Sequence, residues 1–142
     1  MLSTIATRKT VDKQAIRFYI ARMITQVKFV GIPVHDQQRA LDFYTTKLGC
    51  KVMTDQPFND KQRWIELKWR GETGIVLFTP PGQEERVGTF MNMSLLCDNV
   101  EKTYEELAAK GVEFVQPPKT ESWGTSAIFK DSEGNQFVMS SR

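Results

Sequence analysis

One pattern of segments occurs twice in this chain, and the repetition constrains the fold more than any single motif. From Gln26 onward, the closely spaced Val27, Phe29, Val30, Ile32 and Val34 read as a strand buried on both faces. Asp36 is suited to cap a helix, Ala40, Leu41, Tyr44 and Leu48 recur at helical spacing, and Gly49 ends it. Three strand-like segments follow: CKVMTD, RWIELKW and, after a turn at Gly71 and Gly74, GIVLFT. The order then returns. MNMSLLC reads as a strand, Asp98 or Asn99 as a cap, Val100, Tyr104, Leu107 and Ala108 as a helix stripe, and Gly111 as its end. VEFVQPP, TSAIFK and NQFVMSS are three more short strands, with DSEGN turning between the last two. Gly49 aligns with Gly111 at an offset of 62, and Val34 with Cys97 at an offset of 63. A fixed period of this kind means one supersecondary unit used twice, so the chain reads as an α+β domain of two βαβββ modules.

The boundaries follow from the repeat. A domain spans 24–142, with module one at 24–80, a turn-rich linker at 81–89 and module two at 90–142. The 142 residues suit one domain rather than two. No run approaches the roughly 20 apolar residues that a membrane helix needs. Cys50 and Cys97 lie in separate apolar contexts with no disulfide framework, which makes a reducing cytoplasm the expectation.

Charge is unevenly spread. Arg8, Lys9, Lys13, Arg17 and Arg22 against Asp12 give residues 1–23 a charge of +4, so the remainder carries −2 of the net +2. A slightly acidic domain without a basic stripe gives nucleic-acid binding little electrostatic support. Within residues 1–23, Val11, Ala15, Ile16, Tyr19 and Met23 fall at helical spacing, interrupted by Asp12. The segment is read as an extra helix that packs on the domain or on a partner chain. A transit-like presequence, or a leader ahead of a start at Met23, are the other readings.

Two stretches, IPVHDQQRALDFYTTKLGCKV and FKDSEGNQFVMS, carry a family resemblance. With the paired modules, they resemble the vicinal oxygen chelate superfamily, which includes glyoxalase I, bleomycin-resistance proteins, extradiol dioxygenases and fosfomycin-resistance transferases. The second stretch is similar to that family's F-x-D-P-D-G-N turn, with Ser132 where proline is usual. The resemblance covers about residues 24–142. It implies that each sheet curls into a half-barrel, that paired modules enclose a cleft where the chemistry happens, and that the protein is a homodimer.

The metalloenzymes of that superfamily take ligands from the first, fourth, fifth and last strands. Carried over by motif, those positions are Phe29, Val76, Asn92 and Val138 here. Phenylalanine and valine have no lone pairs, and an asparagine amide is a poor substitute for imidazole, thiolate or carboxylate. The only histidine, His35, falls in the turn after the first strand, beyond the cleft-facing alternation. No metal or other cofactor is therefore expected. Ser94, Ser126 and Ser140 have no imidazole partner for a nucleophilic triad, and no phosphate loop or dinucleotide fingerprint is present.

Alternation then assigns the strand faces. If Phe29 and Val76 face the cleft, Val30, Ile32, Val34, Ile75 and Leu77 face the helices, and all five are aliphatic. On the last strand Phe137 and Met139 turn to the helices, leaving Gln136, Val138 and Ser140 on the cleft side. The expected cleft is thus mostly apolar, built from Phe29, Trp64, Val76, Phe78, Asn92, Ser94, Gln136 and Val138. Glu66 and Lys68 either orient a ligand or form a solvated cross-strand pair. Trp123 either closes over the cleft or packs at the domain edge, and Met91, otherwise core filler, sits at the cleft rim. The leading reading is a metal-independent protein that binds a small organic molecule, as the bleomycin-resistance branch does. The alternatives are a lyase, isomerase or dioxygenase-like enzyme with Glu66 as general base or with an unrecognised metal site, and an effector-binding or scaffold module without chemistry.

Overall fold

The computed structural model describes residues 23–142. The expected N-terminal helix lies outside the described residues except for Met23, which is exposed. Module one contains β1 (Phe29–Ile32), α1 (Gln37–Thr46), β2 (Lys51–Pro57), β3 (Arg63–Lys68) and β4 (Gly74–Leu77). Module two contains β5 (Phe90–Leu96), α2 (Val100–Ala109), β6 (Phe114–Glu121), β7 (Gly124–Lys130) and β8 (Gln136–Ser140). The modules form separate four-stranded sheets of identical topology, β1-β4-β3-β2 and β5-β8-β7-β6. In each, the first and last strands pair in parallel and the remaining neighbours are antiparallel.

Local chemistry sets the element ends. The Asp36 side chain accepts from the Arg39 amide to cap α1, and Asn99, rather than Asp98, accepts from Lys102 to cap α2. Gly49 and Gly111 stand at φ of +72° and +86°, where a side chain would be strained, so both helices end at glycine as the repeat requires. Two expectations are corrected. The first strand starts at Phe29 and leaves Val27 exposed, because its partner β4 supplies register positions only from Gly74 onward. The strand read as VEFVQPP runs further: β6 continues to Glu121 and β7 starts at Gly124, so Ser122 and Trp123 form the tip of a hairpin.

The helix-facing sides of both sheets meet in one hydrophobic core. Ile32, Ile65, Leu67, Ile75 and Leu77 from module one join Ala127, Phe129, Phe137 and Met139 from module two, with Phe43, Tyr44, Val100 and Leu107 supplied by the helices. Burial of these faces supplies the main drive for folding. The DSEGN turn then clasps the modules together. Glu133 Oε1 accepts from the backbone amides of His35 (2.9 Å) and Asp36 (2.8 Å), and its Oε2 accepts from Arg39 Nε at 2.8 Å. Asn135 Nδ2 donates to the Pro33 carbonyl at 2.9 Å. The only histidine is thus an exposed turn residue whose backbone, not its ring, takes part in the clasp.

Candidate binding cleft

The side of module one's sheet turned away from the helices is aromatic. β1 presents Phe29, β3 presents Trp64, and Phe78 follows directly on β4. Their rings pack edge-on or tilted, with Phe29–Trp64 centroids 5.5 Å apart and Trp64–Phe78 centroids 5.3 Å apart. Phe58, an exposed residue in the β2–β3 turn, adds a fourth ring 4.8 Å from Phe78 and 6.0 Å from Trp64. Its position is fixed because its amide donates to the Gln62 carbonyl, while Asn59 Oδ1 accepts from the amides of Lys61 and Gln62.

A departure from regular pairing makes room beside these rings. β3 and β4 pair only at Glu66–Val76 and Leu67–Ile75. Beyond that, side-chain amides stand in for the missing ladder. Gln37 Nε2 donates to the carbonyls of Arg63 (2.7 Å) and Leu77 (2.8 Å), and its Oε1 accepts from the Arg63 amide at 2.8 Å. Gln62 does the same for Thr79, donating to its carbonyl at 2.8 Å and accepting from its amide at 2.9 Å. These backbone groups keep their partners while the strands splay beside Trp64 and Phe78.

The result is a cavity of about 240 Å³. Its floor is Phe29, Gly31, Pro33 and Val76, its wall is Trp64 and Phe78, and Pro80, Gln83 and Arg86 close one end. The last two come from the linker, which is not merely a spacer: Glu84–Arg86 form a short 3-10 turn against the cleft. Sequence reading missed Phe58, Gln37, Gln62, Gln83 and Arg86. The helical position of Gln37 and the turn-like composition of the rest gave no sign that they converge here.

The other expected cleft residues lie elsewhere. Glu66 is half-buried on β3, and its carboxylate lies by Gly74, whose Cβ position would fall 3.5 Å from Glu66 Oε2. Neither it nor Lys68, next but one along the strand, reaches the cavity lining. Asn92, Ser94, Gln136 and Val138 belong to module two's sheet, and none contributes to the cavity. There Phe90 pairs with Gln136 and Ser94 with Val138, so β5 spends two more residues than β8 over that span. Asn92 sits inside this irregularity at φ +52°, a left-handed conformation that asparagine tolerates better than most residues. Ser94 and Ser140 share a hydrogen bond across this open face, on which Phe90 and Leu96 are 43% and 58% exposed. Met91 is buried in the core rather than at a rim. Trp123, 64% exposed at its hairpin tip, touches neither the cavity nor module one's aromatic cluster.

The four family ligand positions do not suit a metal. Phe29 and Val76 line an apolar cavity, and Asn92 and Val138 lie on the other sheet. Among the described residues no three histidine, cysteine, aspartate or glutamate side chains gather as a ligand set. A wider depression of about 570 Å³ lies between α1 and the DSEGN turn, but its walls mix Asp42 and Lys47 with residues already paired, such as Lys130 with Glu113 at 3.3 Å. No described helix is long and apolar enough to cross a membrane.

Comparison with known proteins agrees with this architecture. Residues 26–139 match the family model described as Glyoxalase/Bleomycin resistance protein/Dioxygenase superfamily. The chain belongs to that superfamily. It is similar to the Bacillus subtilis protein YetH, uncharacterized by name, with 35% identity over 120 residues that span 82% of this chain and 98% of YetH. A superfamily member from Sphaerobacter thermophilus superposes with a TM-score of 0.77 at 30% identity, covering 84% of this chain and 99% of its own. TnmS3, an antibiotic binding protein from Streptomyces sp. CB03234, superposes with a TM-score of 0.70 at 31% identity, covering 83% and 96%.

Proposed function

We propose that this chain is a metal-independent small-molecule-binding protein of the cytoplasm that works as a homodimer, each ligand held between module one of one copy and module two of the other. The observation that carries this reading is the half-built cleft. A small-ligand site usually occupies roughly 300–1,000 Å³, whereas the aromatic cavity on module one measures about 240 Å³ and is only partly enclosed. The complementary open face, with Ser94, Gln136 and Val138 between exposed Phe90 and Leu96, lies on the other sheet, and within one chain none of its residues lines that cavity. A second copy supplies it, and two-fold symmetry completes both sites at once.

The ligand suited to this wall is an aromatic or amphipathic organic molecule that stacks on Trp64. The resemblance to an antibiotic binding protein supports a sequestering role over a catalytic one. Catalysis by Glu66 gains no support, since its carboxylate lies by Gly74 and takes no part in the cavity lining. Burial pushes the Cys50 thiol up to about 12, so it is a poor nucleophile as well. A thermal-shift screen with small aromatic compounds, followed by sedimentation to read the oligomer, tests the reading. Compounds that stabilise the protein should bind about 5- to 150-fold more weakly to Trp64→Ala, the range for an aromatic anchor. A monomer in solution, or hits indifferent to Trp64, would contradict it.

A further inference from the structure

We infer that the cleft selects planar aromatic anions, such as aromatic carboxylates or phenolates, through Arg86. This inference rests on the binding reading above and specifies its ligand class. The cavity lining contains one ionisable residue, Arg86, and no carboxylate. The carboxylates of Glu84 and Glu85 share Arg86's short turn but take no part in the lining, and Glu66 lies at Gly74. Among the described residues no carboxylate comes within 4.0 Å of Arg86, whose one side-chain hydrogen bond is a long one of 3.5 Å to Gln83 Oε1. The other arginine at this end of the sheet, Arg63, is already held by Asp55 at 2.7 and 3.0 Å and by Gln38 at 2.9 Å.

Arg86 thus stands at one end of an aromatic cavity with the long bond to Gln83 as its one side-chain commitment, and Gln83 beside it adds an amide. A guanidinium offers a planar fork that fits a carboxylate in two parallel hydrogen bonds, and such charge-assisted bonds are the strong ones. The ring system of a ligand would lie against the cluster formed by Trp64, Phe29 and Phe78, leaving its acidic substituent at the linker.

Three probes of one shape test this on the full chain: naphthoate, its neutral methyl ester and naphthylmethylammonium. Calorimetry or tryptophan quenching should show naphthoate binding about tenfold or more tighter than the ester, the size of one charge-assisted interaction, and the cation binding weakest. In Arg86→Met the ratio of naphthoate to ester affinity should fall to about one, and Arg86→Lys should keep part of the preference. Arg86 is exposed, so both variants should melt as the parent does. Equal binding of acid and ester, or preference for the cation, overturns the inference and leaves the cleft standing. Failure of all three probes removes the cleft and the inference together.

Discussion

Tyr44 on α1 donates a hydrogen bond of 2.7 Å to Asp131 Oδ2 in the turn before β8, joining the two modules inside their common core. Asp131 also accepts from Asn135 Nδ2 and from the amides of Glu133 and Asn135, so four donors satisfy one buried carboxylate. Burial pushes both the tyrosine hydroxyl and the aspartate carboxyl up, and the neighbouring charge keeps the phenol protonated as the donor. Tyr44→Phe preserves the ring packing against Phe137 but leaves Asp131 one donor short. The loss should be about 1–3 kcal/mol, the cost of under-satisfying a buried polar group. Urea unfolding measures it, and an unchanged midpoint would show that the bond contributes nothing.

Glu133 gives the clasp a pH dependence. Burial alone would raise its pKa, but the Arg39 guanidinium, the amides of Asp36 and His35 and the Ser132 hydroxyl outweigh it and hold the carboxyl below its ordinary 4.5. An acid lowered on folding stabilises the fold above its unfolded value, and that contribution is lost as pH falls through the folded value. Asp131, raised by burial, has the opposite sign, since its protonation favours the folded state. Glu133→Gln isolates the first effect. Below about pH 4.5, the parent's melting temperature should fall more steeply than that of the variant, and parallel curves would exclude a role for Glu133 in acid lability.

Metal should make no difference to stability. With Phe29, Val76, Asn92 and Val138 at the family's ligand positions, zinc, nickel, manganese or ferrous iron at modest excess should find no tight site among the described residues. The melting temperature should stay constant, because only a ligand that binds the native state raises it. One equivalent of metal per chain by elemental analysis, lost when cleft residues are replaced, would refute this.

The repeat made the fold legible. Helix stripes, caps and terminal glycines are local signals, and strand alternation set Phe29, Trp64, Val76 and Phe78 on one face, where the structure finds one cavity. What alternation cannot carry is the relation between sheets. It puts Asn92, Ser94, Gln136 and Val138 on an equivalent face of module two, but face equivalence within a module says nothing about which sheet that face opposes. The modules share a core on their helix sides, and none of these four residues lines the cavity of module one. Gln37 and Gln62 were invisible for another reason. Glutamine is common on helices and in turns, and only the broken β3–β4 ladder gives those amides their task.

Mixing two crippled chains tests the shared cleft most directly. Trp64→Ala removes the aromatic wall from module one, and Val138→Trp fills the opposing face on module two. Each variant alone should bind the best aromatic hit of the screen weakly. Unfolded together and refolded, the two should form mixed dimers with one site that has lost both walls and one that has kept both. Calorimetry should then recover parental affinity at one site per mixed dimer. If binding in the mixture is only the average of the two variants, each cleft is built within a single chain, and a cleft shared between two copies is refuted.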